Sequence, residues 1–156
     1  MKKGFTMIEL IFVIVILGVL ASVAIPRLAA TRDDAEVAKA ATNLATAVSD
    51  ITAYYTAKGS FSGVTSDFTK ITNALDKKGV LKMKGTTCAS ITLPTNNTTA
   101  TSSQKVELTI GFSGTDQACA TLKGLSSVKA MCGKGTSEKV SGDCKIQIGG
   151  SGGIKW

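Results

Sequence analysis

The sequence contains no histidine. That removes the usual general base near neutral pH and the commonest metal ligand, so histidine-based catalysis is excluded. There is also no G-x-x-x-x-G-K-[ST] phosphate loop, no G-x-S-x-G elbow, no metal-spaced cluster and no internal repeat. The glycines near the end lack the strand-to-helix context of a nucleotide site. Acids beyond residue 58 are scattered. No enzyme activity and no cofactor are expected from these residues.

What is present is unevenly distributed. The 156 residues are enough for one domain and a segment outside it. Residues 58–156 carry 13 lysines against 6 acids, a net of +7. Residues 5–57 carry Arg27, Arg32 and Lys39 against Glu9, Asp33, Asp34, Glu36 and Asp50, a net of −2. A slightly acidic stem therefore bears a basic head. Beyond solubility, that asymmetry suits attraction between the head and stem of neighbouring subunits, or weak binding of an anionic polymer. All four cysteines, Cys88, Cys119, Cys132 and Cys144, lie in the head. An even count following an exporting segment suggests two disulfides formed in an oxidising compartment. Their spacing does not resemble a zinc site. Three pairings are open; the local closures Cys88–Cys119 and Cys132–Cys144 are favoured because short loops cost least to close.

The most informative stretch is the start. Lys2, Lys3 and Gly4 precede an apolar run of 21 residues, Phe5 to Ile25. As a helix at ~1.5 Å per residue it reaches about 31 Å, enough for a bilayer core of ~30 Å. The two lysines should hold the amino terminus on the cytoplasmic side. A cleaved secretory signal (Ser22-Val23-Ala24 is a passable site), a plain anchor and a buried core helix all compete for this run. Glu9 argues against each. A carboxylate in such a run costs on the order of 2.5–3.5 kcal/mol on insertion scales. The cost is tolerable if a positive partner is supplied within the membrane or an assembled core. An α-amine made by cutting after Gly4 would serve, since the new terminus, Phe5, lies four residues from Glu9.

Gly4-Phe5-Thr6-Met7-Ile8-Glu9-Leu10, followed by an apolar run with Gly18 and Pro26, resembles the amino terminus of type IV pilins and type II secretion pseudopilins. The resemblance covers roughly residues 1–57. It implies cleavage between Gly4 and Phe5 by a prepilin peptidase that also N-methylates Phe5. It further implies packing into a helical filament in which Glu9 pairs with the Phe5 amine of an adjacent subunit. Thr6 has a weaker reading as a local hydrogen-bonding residue.

Gly costs ~1 kcal/mol inside a helix and Pro ~3. Pro26 also leaves the Ser22 carbonyl without its donor, so the helix should kink or loosen there, unless Pro26 opens a second helix. The resemblance implies melting of Gly18 to Pro26 in the filament. From Thr31, the apolar residues Val37, Ala41, Leu44, Val48, Ile51 and Tyr55 recur at spacings of 4 and 3, the pattern of an amphipathic helix. Asp33, Asp34 and Glu36 favour its start and Lys58-Gly59 its end. Its stripe is expected to pack on the chain's own sheet rather than form a coiled coil. Joined through Pro26, the helix would span roughly 80 Å.

In the head, Ser66 reads as the N-cap of a short helix carrying Phe68, Ile71 and Leu75 and closed by Gly79. Strands are expected at Val80–Met83, Ala89–Leu93, Lys105–Phe112 and Cys144–Ile148; the alternation over 105–112 is the clearest. Gly114-Thr115-Asp116 should cap a short helix with Ala118, Cys119, Leu122 and Leu125, with a strand as the alternative. Pro94 to Ser103 reads as a polar loop; its sequons at Asn96 and Asn97 read as plain loop in a bacterial-type protein. The glycine-rich stretch Gly149 to Gly153 reads as flexible, and Trp156 as either a docked hydrophobic tail or a frayed end. The Cys132–Cys144 loop resembles the disulfide-bounded carboxy-terminal loop of pilins, often a contact or adhesive surface.

The expected fold is α+β: one long helix, its second half laid on an antiparallel sheet. The expected divisions are a leader (1–4), an apolar helix half (5–26), an amphipathic half (27–58) and a head (59–156). The expected function is a type IV pilus subunit, anchored once in the inner membrane before assembly and displayed at the cell surface afterwards. Gly4 and Phe5 would serve processing; Phe5, Glu9, Gly18 and Pro26 would serve assembly. Partners would be further copies of the chain, the peptidase and methyltransferase, an inner-membrane assembly platform with its ATPase, and minor pilins. The first alternative is a pseudopilin, opposed by the four cysteines and the lack of an acidic cluster after residue 100. The second is a DNA-uptake subunit, with Lys70, Lys77, Lys78, Lys82 and Lys84 as the polyanion contact, although no aromatic platform accompanies them. A third is a soluble domain released by cleavage after Ala24.

Overall fold

The computed structural model describes residues 4–94, 105–135, 140 and 142–150. The expected polar loop at 95–103, the sequons, Lys2, Lys3 and the tail with Trp156 lie outside the described residues. The chain divides into two compact units, Met1–Ala35 and Glu36–Trp156.

The first unit is helical from Met7, where α1 (Met7–Lys58) begins. Its large apolar side chains are all exposed, from Phe5 at 87% to Leu28 at 68%. Pro26 sits inside α1, and no second helix starts there. Only one backbone donor is lost at Pro26, and helix is assigned on both sides of it. The Ser22 hydroxyl donates to the Val19 carbonyl at 2.7 Å.

In the second unit α1 buries Val37, Ala40, Leu44, Ala47 and Ile51. The centre of this face therefore differs from the expected stripe. Ala40 and Ala47 occupy the middle, with Ala41, Val48 and Tyr55 only partly buried beside them. Small side chains on the centre line let the helix backbone approach its neighbours. The helix ends where Lys58-Gly59 said it should. Gly59 adopts φ +69°, and its N–H donates to the Tyr55 carbonyl at 2.7 Å, the left-handed C-terminal cap.

The sheet holds β1 (Val80–Met83), β2 (Thr86–Thr92), β3 (Val106–Phe112) and β4 (Cys144–Gly149) in the order β1-β2-β3-β4. Every neighbouring pair is antiparallel. The long helix and antiparallel sheet expected from the sequence are both present. Along β3 the alternation holds: Leu108 and Ile110 are fully buried and Thr109 is half-buried. β2 starts three residues before the expected Ala89, because Thr86 and Thr87 pair with Met83 and Lys82. Between β3 and β4 lie α2 (Gln117–Gly124) and α3 (Ser126–Met131). Asp116 caps α2 by accepting from the Cys119 N–H. Leu125 falls just past α2, and α3 was not foreseen.

The helix expected at 66–79 is replaced by a single 3-10 turn, Phe68–Lys70. Asp67, not Ser66, is its cap, accepting from the Thr69 N–H at 3.2 Å. Thr72 accepts from the Ala74 N–H, and Asp76 accepts from the N–H groups of Lys78 and Val80. Short polar side chains satisfied the backbone locally, and helix lost the competition. The Thr72 hydroxyl also donates to Asp50 on α1 at 2.7 Å. Gly79 enters β1 rather than closing a helix. Its φ is +73°, and a Cβ there would sit 2.6 Å from the Phe68 ring.

Two disulfides fasten this unit. Cys88 on β2 joins Cys119 on α2, with Cα atoms 5.1 Å apart. Cys132, just after α3, joins Cys144 at the start of β4, at 5.2 Å. The first link lies within the core, beside the buried Leu122 of α2 and Val128 of α3, and the second ties the end of α3 to β4.

Candidate processing and assembly site

The functional residues proposed from sequence fall into two groups, one at the start of α1 and one on the surface of the head. At the start, Gly4 and Phe5 precede the first helical turn. A Cβ added at Gly4 would meet nothing within 4 Å, and the same is true at Gly18. The packing of this chain demands glycine at neither position.

Thr6 and Glu9 form a reciprocal cap. The Thr6 N–H donates to Glu9 Oε2 at 2.9 Å, and the Thr6 hydroxyl donates to the same oxygen at 2.7 Å. The Glu9 N–H reaches back to Thr6 Oγ1 at 3.4 Å. This is the T-x-x-E capping box. Sequence reasoning gave Thr6 only a loose local role, although the spacing was there to be read. Both Thr6 bonds use Oε2, so Oε1 is left for a donor from elsewhere. The cap also gives Glu9 a partner inside the chain, which lowers the cost of holding a carboxylate at an apolar helix start.

Beyond this cap the surface is uniformly apolar. An 18-residue stretch of α1 has a mean hydropathy of 2.9, and none of it is buried. Gly18 and Pro26 lie within the exposed segment. By length and composition it is able to cross a bilayer.

The five lysines of the second group do not form one platform. Lys77 pairs with Asp67 at 3.7 Å and Lys82 with Asp76 at 3.8 Å. Asp67 is held below the usual carboxylate range, first by the Thr69 hydroxyl and then by the Thr69 N–H, Lys77 and Lys70. Lys70, Lys77, Lys78, Lys82 and Lys84 are all exposed, while Phe68, the nearest aromatic in sequence, is buried. No base-stacking surface is built around them from the described residues.

Cys88, Cys119 and Asp116 lie close enough to suggest a metal site. The two cysteines are joined to each other, so neither offers a thiolate. The donor set does not suit a cation.

Residues 1–25 match the family model described as the prokaryotic N-terminal methylation motif. No curated protein and no solved structure matches the chain. The motif belongs to structural subunits and implies processing by a prepilin peptidase and pilus assembly. With its long apolar helix, the chain fits an inner-membrane-anchored precursor that becomes part of a surface pilus. The capped Glu9, the exposed apolar helix and the methylation motif together support the type IV pilin and pseudopilin family for this chain.

Proposed function

We propose that the chain is the structural subunit of a type IV pilus filament and has no enzymatic activity of its own. The precursor is cut between Gly4 and Phe5, and the new Phe5 amine is methylated. Residues 5–26 hold the subunit in the inner membrane and then form the filament core. Residues 27–58 form the amphipathic half and residues 59–156 the head. Glu9 keeps its Thr6 cap through Oε2 and offers Oε1 to the Phe5 amine of the next subunit. That charge-assisted contact sets register more than it adds stability. Gly18 and Pro26 mark where the helix loosens during assembly. The membrane platform and its ATPase supply the work.

One observation carries this reading. A carboxylate stands four residues from the prospective terminus, at the head of a helix whose large apolar side chains are all exposed as far as Leu28. An exposed apolar surface of that size needs lipid or other copies of the helix around it. The open space at Gly4 adds support, because an unhindered backbone suits a peptidase better than it serves the fold. The four cysteines, all in disulfides, and the absence of an acidic cluster after residue 100 favour a pilin over a calcium-binding pseudopilin.

The test is electron microscopy of sheared surface fractions from cells making the wild-type chain or Gly4→Leu. The wild type should give filaments, and the variant should accumulate as uncut precursor with none. Filaments built from uncut Gly4→Leu subunits would refute the processing step.

A further inference from the structure

The two disulfides of the second unit stand in opposite surroundings. Cys88 and Cys119 are both at 0% exposure. Gly114 is buried against them, so close that a Cβ there would collide with the Cys119 sulfur. A carboxylate oxygen of Asp116 lies within 4.8 Å of both sulfurs. A disulfide is opened by attack of a thiolate, which is an anion and must reach a sulfur. At Cys88–Cys119 burial blocks that approach and a fixed negative charge opposes it.

Cys132–Cys144 differs on both counts. Cys132 is only half-buried, and Gly133, Lys134 and Gly135 after it are exposed. A Cβ added at Gly133 or Gly135 would meet nothing within 4 Å, so open space borders the Cys132 side of the bond. Cys144 is at 4% exposure, which makes Cys132 the point of attack. Asp143, the acid next to Cys144 in sequence, has its carboxylate beside Gly111 and Ser90. The segments that this bond joins are also held without it. Val128 anchors α3 at 0% exposure, and the Cys132 N–H donates to the Val128 carbonyl at 3.2 Å. Cys144 begins β4 opposite Ile110, and the pairing runs on to Gly149 opposite Val106. Opening the bond releases a tether between two anchored ends.

We propose that Cys132–Cys144 is a thiol-exchange site, opened by a dithiol in the folded chain while Cys88–Cys119 stays closed. One thiolate of the dithiol attacks Cys132 Sγ, and Cys144 leaves as a thiolate that takes a proton from water. The second thiol gives up its proton and attacks the dithiol's own sulfur in the mixed disulfide, releasing Cys132 as a thiolate that is protonated in turn. The chain gains two electrons and two protons, and the dithiol becomes a disulfide. The connection between α3 and β4 is then closed or open according to the thiol poise of the surroundings, with the core intact in both states.

The experiment exposes the full-length chain in detergent micelles to dithiothreitol without denaturant. Samples are trapped with iodoacetamide over time, and the alkylated cysteines are mapped by mass spectrometry. Cys132 and Cys144 should be labelled about tenfold faster than Cys88 and Cys119, following access to the sulfurs. Amide exchange in β2 and β3 should stay slow in the singly reduced chain. Asp116→Asn, which keeps an oxygen able to cap α2, should speed reduction of Cys88–Cys119 several-fold and leave Cys132–Cys144 unchanged. Equal rates at the two bonds overturn the proposal. So does labelling of Cys132 and Cys144 that keeps pace with loss of protection in β2 and β3. An unchanged Cys88–Cys119 rate in Asp116→Asn overturns the part assigned to the carboxylate.

Discussion

The two units of the chain treat apolar side chains in opposite ways. From Phe5 to Leu28 every large one is exposed, whereas Leu44, Ile51, Leu108, Ile110 and Leu122 in the second unit are at 0% exposure. Both units are made of ordinary hydrophobic residues, so the difference is one of design. The second unit buries its own core and is braced by two disulfides. The first leaves its apolar run uncovered, and the one acid within that run, Glu9, lies at the helix start where Thr6 caps it. One half of the molecule covers its apolar side chains by folding, and the other leaves them exposed.

That contrast can be broken most severely at Glu9. Glu9→Leu should leave cleavage and the head's stability unchanged but abolish filaments, as judged by immunoblot of sheared fractions. Normal filaments from this variant would show that the carboxylate is not needed for register. Next in size, Leu44→Ala should destabilise the head by about 2–5 kcal/mol in denaturant titration, the usual range for a fully buried leucine. The equivalent truncation at Leu17, exposed in the subunit, should leave head stability unchanged and act only on assembly. Equal effects at the two positions would erase the distinction between the units.

Removing Cys132–Cys144 by paired serine substitutions should cost about 2–4 kcal/mol, in line with closure of a short loop. Removing Cys88–Cys119 should cost more, because both of its cysteines are at 0% exposure and serine there leaves unsatisfied hydroxyls. The smallest effect is a pH dependence at Asp67. Its carboxyl is held low in the folded chain. Its stabilisation is therefore fully present above the ordinary carboxylate value and is lost as pH falls through the depressed one. Asp67→Asn should flatten that acid limb slightly, read as a smaller drop in unfolding midpoint between mildly acidic and strongly acidic buffer.

The parts of the fold legible in the sequence are those where periodicity and punctuation agree. Lys58-Gly59 ended α1, the alternation of Val106 to Phe112 made β3, and Asp116 capped α2. Errors arose where short polar side chains decide the backbone. Asp67, Thr72 and Asp76 each bond a nearby N–H, which turned an expected helix into a 3-10 turn and loops. Reading the α1 stripe by size also overlooked Ala40 and Ala47, whose smallness is the reason they occupy the packed centre. At the candidate site the residues of the motif were legible, but the reciprocal bonds of Thr6 and Glu9 were not used although their spacing announces them.

The most direct measurement is mass spectrometry of the amino-terminal peptide from subunits in sheared filaments. Cleavage after Gly4 predicts a peptide beginning at N-methylated Phe5. A peptide beginning at Ile25, or filaments built from chains that retain Met1 to Gly4, would contradict it.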